Sequence, residues 1–294
     1  MKLNIIIQGI KLLFINPFLF KKYLRYKLKQ QTDPWKNFDP KKSIIKLGDI
    51  KFKIDFDHLG KKDPYVKQMY FGYYQIALIS LMKKCLKKGS IFIDVGANIG
   101  YVSAVAAHLV GKSGEVHSFE PAPQYFKLLQ ENIKLNPDYK MFANQAALGE
   151  RKTTLPMEIL DPPHGGGNTL IKEYINIWDK PKYKIKTLNV NVIRLDKYIE
   201  DKKLENISFI KIDVEGYEFP VLRGLENYLS KCKKKPVILT EINPKSYELL
   251  NYDPQELINF MKKFGYKPYN VFNPFLKIDI RKLKEGTDVA FIAK

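Results

Sequence analysis

Cysteine, arginine and an unbroken hydrophobic run are what this chain has least of. Its two cysteines, Cys85 and Cys232, are far apart and in no metal-ligand spacing. That excludes a disulfide scaffold and a zinc cluster, and makes a reducing, cytoplasmic setting the expectation. The arginines are only Arg25, Arg151, Arg194, Arg223 and Arg281, so the net charge of +19 is carried almost wholly by lysine. Bidentate recognition of phosphate and guanine favours arginine, so nucleic acid is not the expected partner. The lysines form either a solvated surface or an anion-binding face. An apolar fraction of 45% with 13% aromatics is ample for a packed core.

The apolar N-terminal stretch Leu3 to Phe20 is broken by Asn4, Gln8, Lys11, Asn16 and Pro17, then followed by Lys21, Lys22, Arg25, Lys27 and Lys29. It is barely long enough to span a bilayer, and no small-residue cleavage site follows it. The expectation is a basic, apolar helix over 1–30 lying on an anionic membrane surface; packing on the domain and a true span are the alternatives. Residues 31–64 read as a linker and a β-hairpin turning at Gly48-Asp49. A main domain over 65–294 follows, with an insertion at 150–200.

That domain opens with a helical pattern from Tyr65 to Leu86 and then alternates. Strands are expected at Ile91 to Val95, Glu115 to Phe119, Lys140 to Ala147, Phe209 to Val214, Pro236 to Ile242, Lys267 to Phe272 and Asp288 to Ala293. Helices fall at Tyr101 to Val110, Gln124 to Leu135, Tyr217 to Leu229 and Pro254 to Phe264. This predicts an α/β fold, a doubly wound, seven-stranded, mostly parallel sheet whose last two strands are close enough for an antiparallel pair.

Ligands of such sheets bind at the carboxyl ends of the strands. There the sequence places Asp94-Val-Gly96-Ala-Asn98-Ile-Gly100 and, a strand later, Glu120-Pro-Ala-Pro123. Gly96, Asn98 and Gly100 suit a tight strand-to-helix turn, and Glu120 can accept hydrogen bonds from ribose hydroxyls. A nicotinamide-dependent oxidoreductase has the same layout, but wants a third glycine to cradle pyrophosphate. Here that glycine is missing, and Asp94 would repel phosphate while favouring a cationic amino-acid group. The cofactor expected is therefore S-adenosylmethionine. Asn144 and Gln145 are candidate adenine contacts, with ordinary surface polarity as the other reading.

Lys211-Ile-Asp213-Val-Glu215-Gly-Tyr-Glu218, taken with D-V-G-A-N-I-G, F-E-P-A-P, A-A-L-G and Leu195-Asp196, resembles the FkbM-type S-adenosylmethionine-dependent methyltransferases. The resemblance covers roughly Met69 to Ile242. It implies a Rossmann-like class I methyltransferase acting on a hydroxyl of a glycan, a glycolipid or a small metabolite. Asp213 and Glu215 close the fourth strand beside the methyl donor and are candidates for the base or for acceptor orientation. Lys211 is expected to be structural or paired with an acid. Glu241 takes a comparable rim position, but three rim acids also arise without a metal, and none is assigned. His164, in the glycine-rich loop of the insertion, is the non-carboxylate base candidate. Its context, Asp161-Pro-Pro-His164, resembles the D-P-P-Y signature of amino-methyltransferases acting on adenine in DNA. That reading would need a fourth core strand ending at Leu160, one strand too many.

Overall fold

The computed structural model describes residues 43–60, 63–72, 74–161, 166–177, 184–272 and 276–293. The expected N-terminal helix and the start of the linker lie outside these residues. Within them no helix is long and apolar enough to cross a membrane.

Seven strands form the main sheet: β3 (Ile91–Val95), β4 (Glu115–Phe119), β5 (Lys140–Asn144), β9 (Ile207–Ile212), β10 (Val237–Ile242), β11 (Tyr266–Asn270) and β12 (Thr287–Ala293). Their spatial order is β11-β12-β10-β9-β3-β4-β5. All pairings are parallel except those of β12, which runs antiparallel to both β10 and β11. Central strands such as I-F-I-D-V are near-continuously apolar because both faces are covered. The pleat sends alternate residues to opposite layers: Phe92, Val116 and Phe209 join one buried cluster, Ile93, Ile210 and Ile212 the other. The fold class read from the sequence is the one present.

The order reverses direction at β3: the chain first builds outward through β4 and β5, then returns to lay β9 on the other side of β3. Here a doubly wound sheet opens its ligand crevice. Helix α4 (Tyr101–Val110) leaves β3 and is buried along most of its surface; α5 (Pro123–Lys134) leaves β4.

Four sequence expectations need correction. The hairpin, β1 (Ile44–Leu47) and β2 (Ile50–Lys53), assigned from the sequence to the segment ahead of the domain at 65–294, packs into that domain. Ile50, Phe52 and Ile54 are fully buried in the main core. The helical pattern 65–86 is two helices, α2 (Pro64–Tyr70) and α3 (Ile76–Cys85), separated where Gly72 and Gln75 take left-handed backbone. The pattern 217–229 is likewise split into α7 (Glu218–Arg223) and α8 (Glu226–Lys231). Between them the Gly224 carbonyl accepts the Asp196 N–H, and a β-carbon on Gly224 would lie 2.2 Å from the Gly149 carbonyl oxygen. Finally, β5 ends at Asn144, three residues early. Ala147 and Leu148 (β6) instead join a separate three-stranded sheet with β7 (Thr153–Asp161) and β8 (Lys184–Ile193), ordered β6-β8-β7. This sheet is the core of the 150–200 insertion.

Asp161, the first residue of the D-P-P-H string, ends a strand of that second sheet, while Pro162 to His164 lie outside the described residues. The fourth-strand position beside β3 belongs to β9. Among the described residues, the strand that the adenine amino-methyltransferase reading needs at that position is therefore not the one carrying Asp161.

Candidate active site

A cavity of about 320 Å³ lies across the carboxyl ends of the main sheet. From one side to the other it meets Ala146 to Leu148, then Phe119 and Glu120 after β4, and Val95 to Ile99 after β3. It continues over Lys211 to Glu215 at β9, Glu241 of β10 and Asp288 of β12.

Gly96 has φ +77°, and a β-carbon there would lie 1.9 Å from the Asp213 carbonyl oxygen. The glycine therefore lets two strand-end loops touch. The N–H groups of Gly96 and Ala97 both donate to the Phe119 carbonyl, at 3.0 and 2.9 Å. They are spent inside the protein, so this turn offers no cradle for a pyrophosphate. Asn98, also left-handed at φ 52°, uses its side-chain oxygen to accept the Ile99 N–H at 2.7 Å. Its own N–H donates to Glu120 Oε2 at 2.8 Å, while the Ala122 N–H donates to Oε1 at 2.9 Å. Glu120 is thus fixed with its carboxylate on the cavity. Burial pushes its carboxyl up to about 7, against the pull of those two N–H groups.

Asp94 is fully buried behind the cavity wall rather than on it. The Ser103 hydroxyl donates to its Oδ2 at 2.6 Å, and Lys211 Nζ stands 3.3 Å from Oδ1, which has no hydrogen-bond partner. The expected attraction of Asp94 for a cationic ligand is therefore answered from within, by Lys211. That ammonium also donates to the Gly96 carbonyl at 2.8 Å and pairs with Asp213 at 3.5 Å. Burial alone would lower the lysine; Asp213 and Asp94 outweigh it and keep the charge fixed. Lys211 is, as the sequence suggested, paired with acids.

Asp213 and Glu215 both reach the cavity. Glu215 is held in left-handed backbone at φ 53°, with its carboxylate accepting the Gly167 N–H at 3.2 Å and its carbonyl accepting the Thr169 hydroxyl at 2.7 Å. Buried Glu218 closes the loop by accepting the N–H groups of Val214 and Gly216, both at 3.0 Å. A residue larger than Gly216 would strike the Tyr174 ring at 2.8 Å. The K-I-D-V-E-G-Y-E string is thus a structural loop that presents two acids.

Two further acids complete the wall. Glu241 and Asp288 are direct partners in the β10–β12 register, and both line the cavity. Burial, then Asp213 and Glu218, push Glu215 up to about 8 and Glu241 to about 9. In Glu215 Asp213 is the leading neighbour, as it is in Asp288, which burial raises to about 6. No group among the described residues has the arrangement of a metal site.

Several candidates lie elsewhere. Gly100 caps α4 at φ +87° and packs against Leu129, away from the cavity. Asn144 bonds the Ser118 carbonyl and the Tyr198 hydroxyl, both at 3.2 Å, and Gln145 is exposed; neither lines the cavity. The apolar wall there is Phe119, Ala146 and Leu148 instead. His164 lies outside the described residues. The sequence reading missed Asp288 and the tyrosines Tyr65 and Tyr74 with Gln75, all of which line the cavity. The signal for Asp288 was available: in an antiparallel last strand, the starting residues lie at the rim where the parallel strands end.

A family model described as "Methyltransferase FkbM domain" matches residues 94–268, more than half of the chain. Methyltransferase 1 of Beauveria bassiana is 30% identical over 149 residues, 47% of this chain and 59% of that protein. The 31-O-demethyl-FK506 methyltransferase FkbM of Streptomyces tacrolimicus is 28% identical over 169 residues, 48% of this chain and 62% of the relative. The hexuronic acid methyltransferase AglP of Haloferax volcanii is 25% identical over 155 residues, 52% and 56%. The chain spans about 60% of the length of such relatives. The matched segment runs from Asp94 past Glu120, Asp213 and Glu241 to β11, and the chain belongs to the FkbM methyltransferase family.

Proposed function

We propose that this protein transfers the methyl group of S-adenosylmethionine to a hydroxyl of a glycan, a glycolipid or a small metabolite. The observation that carries the cofactor is the fate of the Gly96 and Ala97 N–H groups. Both are consumed by the Phe119 carbonyl, so the turn cannot grip a pyrophosphate, while among the described residues the cavity carries Glu120, Asp213, Glu215, Glu241 and Asp288 against one cation, Lys211. A ligand with an ammonium, a sulfonium and no phosphate fits that wall; a dinucleotide does not.

The residues divide by position along the sheet. Glu120 would hold the ribose hydroxyls, with Phe119 and Ala146 to Leu148 against the adenine. Asp213, paired with Lys211, would face the amino-acid end or the reaction centre. When bound, the cofactor supplies an electrophilic methyl group on sulfur. The protein's task is to place the acceptor oxygen in line with that S–CH₃ bond and to take its proton. The ionised form of Glu215 or Glu241, dominant above about pH 8 or 9, would take that proton. The relative named as a 31-O-demethyl-FK506 methyltransferase supports transfer to oxygen.

Release of S-adenosylhomocysteine in the presence of hydroxyl-bearing glycosides and metabolites tests this reading. Asp213→Asn and Glu215→Gln are expected to lower turnover more than cofactor affinity. Unchanged turnover in both would remove them from the chemistry.

A further inference from the structure

The segment ahead of the family-matched region supplies a wall of the cavity. Tyr65, Tyr74 and Gln75 all line it, yet all precede residue 94. Asp63 fixes the start of α2 by accepting the N–H groups of Tyr65, at 2.7 Å, and Val66, at 3.2 Å. The rings then form an edge-to-face ladder leading inward from the hairpin. Phe52 meets Tyr101 at 5.4 Å, Tyr101 meets Tyr74 at 5.5 Å, and Tyr74 meets Tyr65 at 6.1 Å, each near perpendicular. Such contacts lock ring orientation.

Gln75 is the least ordinary member. It sits at the N-terminus of α3 with left-handed backbone, φ 51° and ψ 41°, and makes no capping bond; its side chain bonds the Tyr74 hydroxyl instead. Three non-glycine residues with such backbone line the cavity, namely Gln75, Asn98 and Glu215. Asn98 fixes Glu120 through its N–H, and Glu215 brings its carboxylate to the cavity. Strained backbone persists where the surroundings hold it for function.

The wall faces the acidic end of the crevice. The tyrosine hydroxyl of Tyr65 is raised by burial and then by Glu215, Asp63, Asp213 and Glu241, and that of Tyr74 by burial and then by Asp213. Aromatic faces, an amide and carboxylates together match the hydroxyls and C–H patches of a sugar ring. Lys211, the cation of this end, is already engaged by Asp94, Asp213 and the Gly96 carbonyl. A carboxylate on the sugar would meet Asp213, with no further cation lining the cavity among the described residues.

From this geometry, and resting on the methyltransferase reading above, we infer that Tyr65, Tyr74 and Gln75 form the acceptor-orienting wall, selecting a neutral sugar hydroxyl over an anionic sugar. Saturation-transfer NMR on the full-length chain, with methyl hexopyranosides and methyl glucuronide as probes, tests it with and without S-adenosylhomocysteine. Tyr65→Phe keeps the ring and removes one hydroxyl; Gln75→Ala removes the amide. Each is expected to weaken hexoside binding by roughly three- to tenfold, the range of one lost hydrogen bond, without changing S-adenosylhomocysteine affinity. Glucuronide is expected to bind more weakly than the hexosides. No hexoside binding by the wild type, unchanged binding in both variants, or a preference for glucuronide would overturn the wall. Failure of S-adenosylhomocysteine to bind would instead overturn the cofactor reading, and the hexoside signals measured without it would still decide the wall.

Discussion

At the scale of single residues, Gly96 and Asp213 show how closely the two motif loops are interlocked. The Gly96 α-carbon and the Asp213 carbonyl approach so nearly that a methyl group has no room. Gly96→Ala combines that clash with a left-handed backbone, and a cost of about 2 kcal/mol or more is expected in urea denaturation. Asp213 also sets the electrostatics of the wall, since its charge raises Glu215, Glu241 and Asp288. Each of these carboxyls has a folded value above its ordinary one, so the folded chain holds more protons than the unfolded chain at intermediate pH. Their contribution to stability is therefore greatest near pH 4 and declines as pH rises to about 9. Asp213→Asn lowers the neighbouring values and should flatten this decline, read as the change in melting temperature of the ligand-free protein between about pH 5 and pH 9. An unchanged slope would show that the acids do not interact as placed. Asp94, Glu120 and Asp213 could be read from the sequence because acids after apolar runs fall at strand ends. Asp94's burial beneath Lys211 could not, because it depends on a lysine more than a hundred residues away.

Among the elements, the hairpin is the instructive one. Asn132 and Asn136, one turn apart on and just beyond α5, treat β2 as a partner strand. Asn136 accepts the Lys51 N–H at 2.9 Å and donates to the Lys51 carbonyl at 2.8 Å. Asn132 does the same for Lys53, at 2.7 and 3.2 Å, and also donates to the Ile99 carbonyl at 3.0 Å. One amide thereby ties the hairpin, α5 and the cofactor turn together. Asn132→Leu would leave buried backbone groups unpaired, costing about 1–3 kcal/mol. Hydrogen exchange at the Lys51 and Lys53 amides should speed up in step; unchanged protection would mean that the hairpin is held by Phe52 and Ile50 alone. The hairpin itself was legible from Gly48-Asp49, but its docking was not, because an asparagine on a helix surface carries no local sign of its partner. The broken helices had a local sign in Gly72 and Gly224, outweighed by the continuous apolar spacing around them.

For the whole molecule, alternation of short apolar runs with helical patterns was enough to give the sheet, because strands buried on both faces are written as unbroken hydrophobic segments. The spatial order of the strands was not read from the sequence, because the pairing of β9 with β3 joins segments more than a hundred residues apart. The insertion sheet was less legible, since β6 is two residues long and pairs with a strand more than forty residues later. Charge is distributed against the grain of composition: a chain of net charge +19 lines its crevice with acids. That inversion is what a small cationic ligand needs, and the central claim rests on it. Isothermal titration of the full-length chain with S-adenosylmethionine, S-adenosylhomocysteine and NAD is the most direct measurement. The expected result is one site per chain for the first two and no heat with NAD, with affinity about tenfold or more weaker in Glu120→Ala, the loss of a charged hydrogen-bonding group. Binding of NAD, or no binding of either methyl-donor compound by protein that still melts cooperatively, would contradict it.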